Sequence, residues 1–222
     1  MDHDIKVICT SCGAELIPDK ENKIYRCMHC GVAYGSSILF DRNAGYKARK
    51  ALEESEFNEA DVWFRCVLMT CSYDFDALKG RILCAGKWRD FEDVKDASAL
   101  SAVRIKNVRD RIEEALVRAW DSDRKYFMYC KELIDTLEKL RQKINEIRPI
   151  QEKIDKYKYN LEHTALRISG EGVDGYEAVS STIDEMYYKI EPLQKEKKEL
   201  ETGVANLKKS LEDFEKSRLV IE

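Results

Sequence analysis

Two pairs of cysteines near the N-terminus have the residue type and spacing of a metal site. Cys9 and Cys12 are separated by two residues, as are Cys27 and Cys30, and a glycine follows each pair. A tetrahedral ion such as Zn²⁺ takes four thiolate or imidazole ligands, and a two-residue gap brings two thiolates to one side of the ion. A glycine after the second cysteine allows a positive φ, which turns backbone amides towards the sulfur atoms. The pattern favours a metal site over free or disulfide-linked cysteines, which would require two such pairs by coincidence.

The stretch around these pairs, residues 5–36, resembles the zinc-ribbon family. Three short segments have the residue types of strands: 14–17, 23–26 and 32–34. The resemblance implies a structural zinc ion with four cysteine ligands: Cys9, Cys12, Cys27 and Cys30. Iron is the alternative, because rubredoxin sites have similar sequences. We expect His29, inside the second pair, to be exposed, since four thiolates already complete the coordination shell.

Residues for catalysis are missing elsewhere in the sequence. The three histidines are scattered over unrelated segments, and the chain lacks a Gly-rich phosphate loop, a nucleophile elbow and an H-E-x-x-H pattern. Four cysteines around zinc would leave no open position for water. The other four cysteines are interpreted as core thiols: Cys66, Cys71, Cys84 and Cys130. We therefore expect a protein without enzymatic activity.

The C-terminal half has the repeat of a coiled coil. From Tyr176 to Ile221, apolar residues recur at alternating steps of three and four, and a column of apolar residues seven apart runs from Leu133 to Ile168. Three glycines between the two runs, in residues 169–175, predict a turn. Pairing Ile168 with Tyr176 makes the numbers of facing core residues add to 344, and most of the resulting pairs are apolar. An antiparallel hairpin is therefore favoured, with an intermolecular coiled coil as the alternative.

Two prolines suggest an irregular point halfway along this hairpin. Pro149 and Pro192 lie at nearly the same height, and each removes a helical hydrogen bond. Gln151 and Lys158 occupy core positions nearby, and Ile150 and Tyr157 could take their places. A bend or flexible joint is the hypothesis, and a tolerated irregularity is the alternative. The tip loop is interpreted as an ordinary connector, with a contact point as the alternative.

The middle of the chain carries a 34-residue repeat. Ala51, Phe57 and Ala60 recur as Ala85, Phe91 and Val94. This is the period of the tetratricopeptide (TPR) helix pair, and residues 44–72 resemble a TPR unit. The second unit is degraded, and a generic helical domain with a chance period is the alternative. The helix that follows is expected to continue into the hairpin, although residues 121–123 could instead cap a new helix.

These patterns predict a mainly α protein with three parts. They are a zinc ribbon (1–38), a short TPR-like helical domain (39–125) and a long antiparallel coiled-coil hairpin (126–222) with its tip loop at 169–175. The formal net charge is −4, and no apolar run reaches the length of a membrane span. The N-terminus lacks the layout of a signal peptide, so a cytoplasmic protein without membrane contact is expected.

The functional prediction is a protein-interaction adaptor or assembly subunit that binds one or more proteins. Basic and acidic residues nearly balance in the ribbon, whereas nucleic-acid binding usually needs a basic patch. A zinc-ribbon factor associated with nucleic acid or a polymerase is the first alternative, and a self-associating structural protein is the second. The pattern of residues does not determine the oligomeric state.

Overall fold

The computed structural model of the protein describes residues 7–9, 11–19, 21–35, 42–94, 96–165 and 173–219. The fold is mainly α, as predicted, with a three-stranded antiparallel sheet near the N-terminus. The strands are β1 (Leu16–Asp19), β2 (Ile24–Cys27) and β3 (Ala33–Gly35). The helices are α1 (Ala44–Glu53), α2 (Phe57–Thr70), α3 (Phe75–Gly86), α4 (Ala102–Arg118), α5 (Asp121–Ala165) and α6 (Val173–Leu219). None of the helices in these ranges is long and apolar enough to cross a membrane.

The three predicted strands form, each one or two residues later than the sequence pattern suggests. Leu16 faces Cys27 across the β1–β2 pair, and Tyr25 faces Tyr34 across the β2–β3 pair. Residues 14 and 15 lie outside β1 because they pair with an earlier segment of the chain. The Cys9 amide donates to the carbonyl of Ala14, and Ile8 forms a β-bridge with Glu15.

Helices α1, α2 and α3 pack closely because small residues stand where they cross. Ala48 on α1 and Ala60 on α2 are fully buried. Phe64 on α2 packs against α3 at Gly80, where a Cβ atom would lie 2.2 Å from the ring. The side chain of Asp74 caps α3 by accepting a 2.8 Å hydrogen bond from the Ala77 amide. Small and aromatic residues therefore meet where these helices cross, while the TPR-like assignment stays a prediction.

Of the predicted second repeat unit, only the first helix forms, as α3. The described residues between α3 and α4 form two short 3₁₀ helices instead, at Phe91–Asp93 and Ala97–Ala99. Asp90 and Asp96 each accept a hydrogen bond from a backbone amide two or three residues later, and such local bonds compete with helix formation. Ser98 occupies the position in the second repeat that Phe64 occupies in the first. The second repeat therefore has no aromatic side chain there against which a helix could pack.

The prediction of a continuous helix through residues 119–123 is wrong. Helix α4 ends at Arg118, and the backbone of Ala119 is extended (φ −62°, ψ 147°). Helix α5 begins at Asp121, where the amides of Asp123 and Arg124 donate to the Trp120 carbonyl. Acidic side chains in this first turn interact favourably with the helix dipole. The alternative of a newly started helix is therefore the observed one.

Helices α5 and α6 run antiparallel. Contacts between them join Tyr126 to Glu215, Lys143 to Glu196 and Lys158 to Tyr187. The residue numbers in these three contacts add to 341, 339 and 345, so the register agrees with the predicted 344 to within five residues. Pro149 and Pro192 both lie inside continuous helices. Neither helix is interrupted at the predicted joint. Of the predicted tip loop, residues 169–172 lie outside the described residues, and α6 begins at Val173.

The hairpin has a buried base and an exposed distal arm. Residues of α5 from Tyr126 to Leu140 belong to the same hydrophobic core as α1–α4, together with Leu211 of α6. We call residues 141–165 of α5 and 173–203 of α6 the distal arm. Three of its described side chains are buried, and they form a small separate cluster: Ile154, Ile183 and Ile190. Ile150 packs against this cluster, as the sequence suggested. Tyr157 does not enter the core as predicted, because its side chain is 37% exposed.

Candidate metal centre

The four ribbon cysteines come together in one group. Their Sγ atoms all lie within 4.8 Å of one another, with Cys9 3.6 Å from Cys30 and Cys12 3.4 Å from Cys27. All four are free thiols. A zinc ion with Zn–S bonds of about 2.3 Å in a regular tetrahedron requires sulfur atoms roughly 3.8 Å apart, which falls within the observed spread. The predicted ligands are therefore positioned to hold a metal ion.

Two backbone turns of the same kind place the sulfur atoms. The Gly13 amide donates to the Cys9 carbonyl at 2.8 Å, and the Gly31 amide donates to the Cys27 carbonyl at 2.9 Å. Gly13 and Gly31 have φ values of +75° and +76°, which a residue with a side chain rarely adopts. The first cysteine of each pair is fully buried and the second is exposed. The site therefore has a buried side and a side open to solvent.

The pKa values of the ribbon cysteines differ because their hydrogen-bond partners differ. Burial raises the pKa of Cys9, but backbone hydrogen bonds from Ser11 and Cys12 outweigh this effect and lower it to about 6. For Cys12, the backbone of Ala14 favours the thiolate, but the neighbouring Cys27 sulfur opposes it, and the pKa rises to about 12. Four thiolates close together repel one another, so a bound cation is needed for all four to ionise at neutral pH.

Two further residues at the site were not predicted from the sequence. The Tyr34 hydroxyl lies 3.7 Å from the Cys9 sulfur, because β3 brings it back across the sheet. Met69, in the last turn of α2, is 2% exposed and completes the small core around the buried cysteines. Its carbonyl also accepts a 3.3 Å hydrogen bond from the Ile8 amide. The buried side of the site therefore faces the helical part of the molecule.

The remaining candidates lie away from this group. His29 is exposed, as expected. Of the four predicted core thiols, Cys66, Cys84 and Cys130 are buried, whereas Cys71 is only half-buried. Burial raises the pKa of Cys130 and raises that of Cys84 to about 12. Within the described ranges, the ribbon cysteines are the only group with the geometry of metal ligands.

The arrangement can hold an ion in a closed shell, because four protein ligands fill a tetrahedral coordination sphere. Comparison of the chain with protein-family models, curated proteins and solved structures gives no significant match. Function is therefore inferred from the residues of this chain alone.

Proposed function

We propose that this protein is a non-enzymatic adaptor or assembly subunit of the cytoplasm, with a structural zinc ribbon at one end and an arm that binds proteins at the other. The distal arm is the observation that carries this proposal. It extends both helices of the hairpin beyond the shared core, and few of its described side chains are buried. An arm of this kind adds little to the stability of the helical core, so its length is best explained by contact with a partner.

The donor set supports zinc as the metal. Four thiolates are soft ligands that suit zinc or iron, and zinc has no redox chemistry that would require a second reactant. Bound zinc would stabilise the ribbon, and the Cys9, Cys12, Cys27 and Cys30 thiolates would be its ligands. All eight cysteines are free, which suits a reducing compartment such as the cytoplasm.

Exposed tyrosines on the distal arm support protein binding there. Four tyrosines of the arm are between 37% and 81% exposed: Tyr157, Tyr159, Tyr187 and Tyr188. Tyrosine is enriched in protein interfaces, where a rigid ring with a polar hydroxyl gives much contact area at low entropic cost. Asp155 and Glu185 accompany the lysines near these tyrosines, so the arm lacks the purely basic stripe typical of nucleic-acid binding.

The test is quantitative capture of partners from a native extract by the zinc-loaded full chain. We expect Tyr159→Ala with Tyr188→Ala to reduce capture strongly. Tyr46→Ala is the matched control, because Tyr46 is a 64% exposed tyrosine on α1, and it should have no effect. Equal capture by the wild type and the double variant would contradict a binding role for these tyrosines, and capture of added copies of the chain itself would favour the self-associating alternative.

A further inference from the structure

We propose that the ribbon is a redox-sensitive modification site, in which a peroxide oxidises the exposed cysteines Cys12 and Cys30 and joins each to a buried cysteine of the other pair. The expected disulfides are Cys12–Cys27 and Cys9–Cys30. This inference rests on the proposed zinc ribbon and adds a covalent change that would remove its metal. It gives the exposed and the buried cysteine of each pair different roles.

Two sulfur–sulfur contacts cross between the pairs. The Sγ atom of Cys12 lies 3.4 Å from that of Cys27, and the Sγ atom of Cys9 lies 3.6 Å from that of Cys30. In each contact one cysteine is exposed and the other is buried. A disulfide joins sulfur atoms about 2.05 Å apart, so a shift of roughly 1.5 Å closes each contact. Both bonds can form in one molecule because they use different sulfur atoms.

Exposure determines which sulfur reacts first. Cys12 and Cys30 face solvent, and a zinc-bound cysteine is a thiolate, which is the form that peroxides oxidise. The Cys12 thiolate attacks one peroxide oxygen, the O–O bond breaks, and the products are a sulfenic acid and hydroxide. The Cys27 thiolate then attacks the Cys12 sulfur, and the S–S bond forms as the S–O bond breaks and a second hydroxide leaves. Each disulfide therefore passes two electrons to one molecule of peroxide, and the same steps join Cys30 to Cys9.

Oxidation would also alter the contact between the ribbon and the helices. A disulfide sulfur carries no charge and replaces the thiolate that binds zinc, so the oxidised ribbon loses its ion. Cys9 and Cys27, the buried members of the new bonds, share a small core with Met69 of α2. The amide of Ile8, next to Cys9, donates to the Met69 carbonyl. The chemical change therefore takes place directly at the surface where the ribbon meets α2.

The other four cysteines provide an internal comparison within the same chain. Cys66, Cys84 and Cys130 are buried, and Cys71 is half-buried. Buried thiols in apolar surroundings are inert, because the oxidant does not reach them and they form little thiolate. The group with the geometry of metal ligands consists of the ribbon cysteines. Oxidation by a small excess of peroxide should therefore be confined to the ribbon.

The experiment treats the zinc-loaded full chain with hydrogen peroxide and follows zinc release with a colorimetric chelator. Free thiols are then alkylated, and disulfides are mapped by mass spectrometry after tryptic digestion. Cleavage by trypsin places each cysteine pair on its own peptide, residues 7–20 and 27–42. Bonds between the pairs link the two peptides, whereas bonds within a pair leave them separate. Fragmentation of the linked peptides assigns the partners.

Cys12→His with Cys30→His is the test variant. It replaces the exposed sulfur atoms by imidazoles, which also bind zinc, and the solvent-facing positions leave room for the larger rings. Cys71→Ser is the matched control, because it removes a half-buried cysteine outside the metal-ligand group.

We expect the wild type and the control to release zinc at the same rate and to yield the linked peptides, with the helical signal in circular dichroism unchanged. The test variant should release zinc about tenfold more slowly, because its remaining thiolates are buried. Disulfides within the pairs, zinc loss without disulfides, or equally fast release from the test variant would overturn the proposal. Should the test variant bind no zinc, the disulfide map of the wild type decides.

The same measurements separate this inference from the proposed function. Zinc that stays bound to the wild type under peroxide would contradict the modification site and leave the zinc ribbon standing. A wild type that binds no zinc before peroxide is added would contradict the ribbon itself, and this inference with it.

Discussion

The two cysteines of each pair have different surroundings, and this difference determines what each substitution should do. Cys9 and Cys27 are buried against the ribbon core, whereas Cys12 and Cys30 face solvent. The ligand set could be predicted from the sequence because C-x-x-C-G is a local pattern, set by a short turn and a glycine of positive φ. Tyr34 and Met69 could not, because their contacts depend on how β3 folds back and on where α2 ends.

Replacing Cys27 with Ser should abolish stable zinc binding, because one of four thiolates and its charge are lost. The ribbon should unfold while the helical signal in circular dichroism remains. Zinc content after dialysis is the measurement, and Cys71→Ser, at a half-buried cysteine outside the group, is the control. Full retention of zinc by the Cys27 variant would rule out a four-cysteine site.

Zinc affinity should fall with decreasing pH, and most steeply below pH 6. In the metal-free fold the pKa of Cys9 is lowered from 9.0 to about 6. A lowered pKa stabilises the folded ribbon above pH 9, and this contribution is lost as the pH falls through about 6. Below that value zinc must also displace a proton from the Cys9 thiol. Chelator competition between pH 5 and pH 8 measures the affinity, and a flat profile would argue against thiolate ligands.

Met69→Ala should loosen the ribbon from the helices, because it removes a 2% exposed side chain from the core around the buried cysteines. A cost of about 2 kcal/mol or more is expected for such a truncation. Hydrogen exchange should become faster in residues 7–35 of the zinc-loaded protein. Met128→Ala is the control, since Met128 is 61% exposed, and equal exchange in both variants would contradict the docking role of Met69.

Among the elements, close packing between α2 and α3 depends on the absence of a side chain at Gly80. Gly80→Ala should destabilise the protein by about 1–3 kcal/mol or more, because the new Cβ would lie 2.2 Å from the Phe64 ring. Gly45→Ala is the matched control, with no atom closer than 3.9 Å to its Cβ, and should be neutral or slightly stabilising. Urea unfolding midpoints measure both, and equal midpoints would show that this crossing tolerates a larger separation.

Long helices were easier to predict than the segments between them. The heptads of α5 and α6 extend over many turns, so their pattern identifies the pair and its antiparallel pairing. The segments Phe91–Asp93 and Ala97–Ala99 lie within the repeat but form 3₁₀ helices, because Asp90 and Asp96 bind nearby backbone amides. The end of α4 at Arg118 was missed because the residues on both sides have helical spacing, and nothing local except Asp121 marks the break.

At the scale of the whole molecule, the hairpin serves two roles along its length. Its base belongs to the helical core, and ion pairs from α6 fix its last turns, with Glu215 bound to Lys79 and Arg218 bound to Asp123. Its distal arm has a small separate cluster around three isoleucines, and Ile144 and Leu200 near the start of the arm pack against the shared core. The arm should therefore be removable without loss of the fold, whereas deletion of the whole hairpin would remove much of the core.

Partner capture by an arm-shortened variant tests the central claim most directly. In this variant a short Gly–Ser turn replaces residues 147–192, which leaves the base contacts in place. We expect it to keep its zinc and its unfolding temperature, because the shared core is intact, and to lose the partners that the full chain captures. Capture of the same partners in the same amounts by the folded variant would contradict the proposal that the arm binds them.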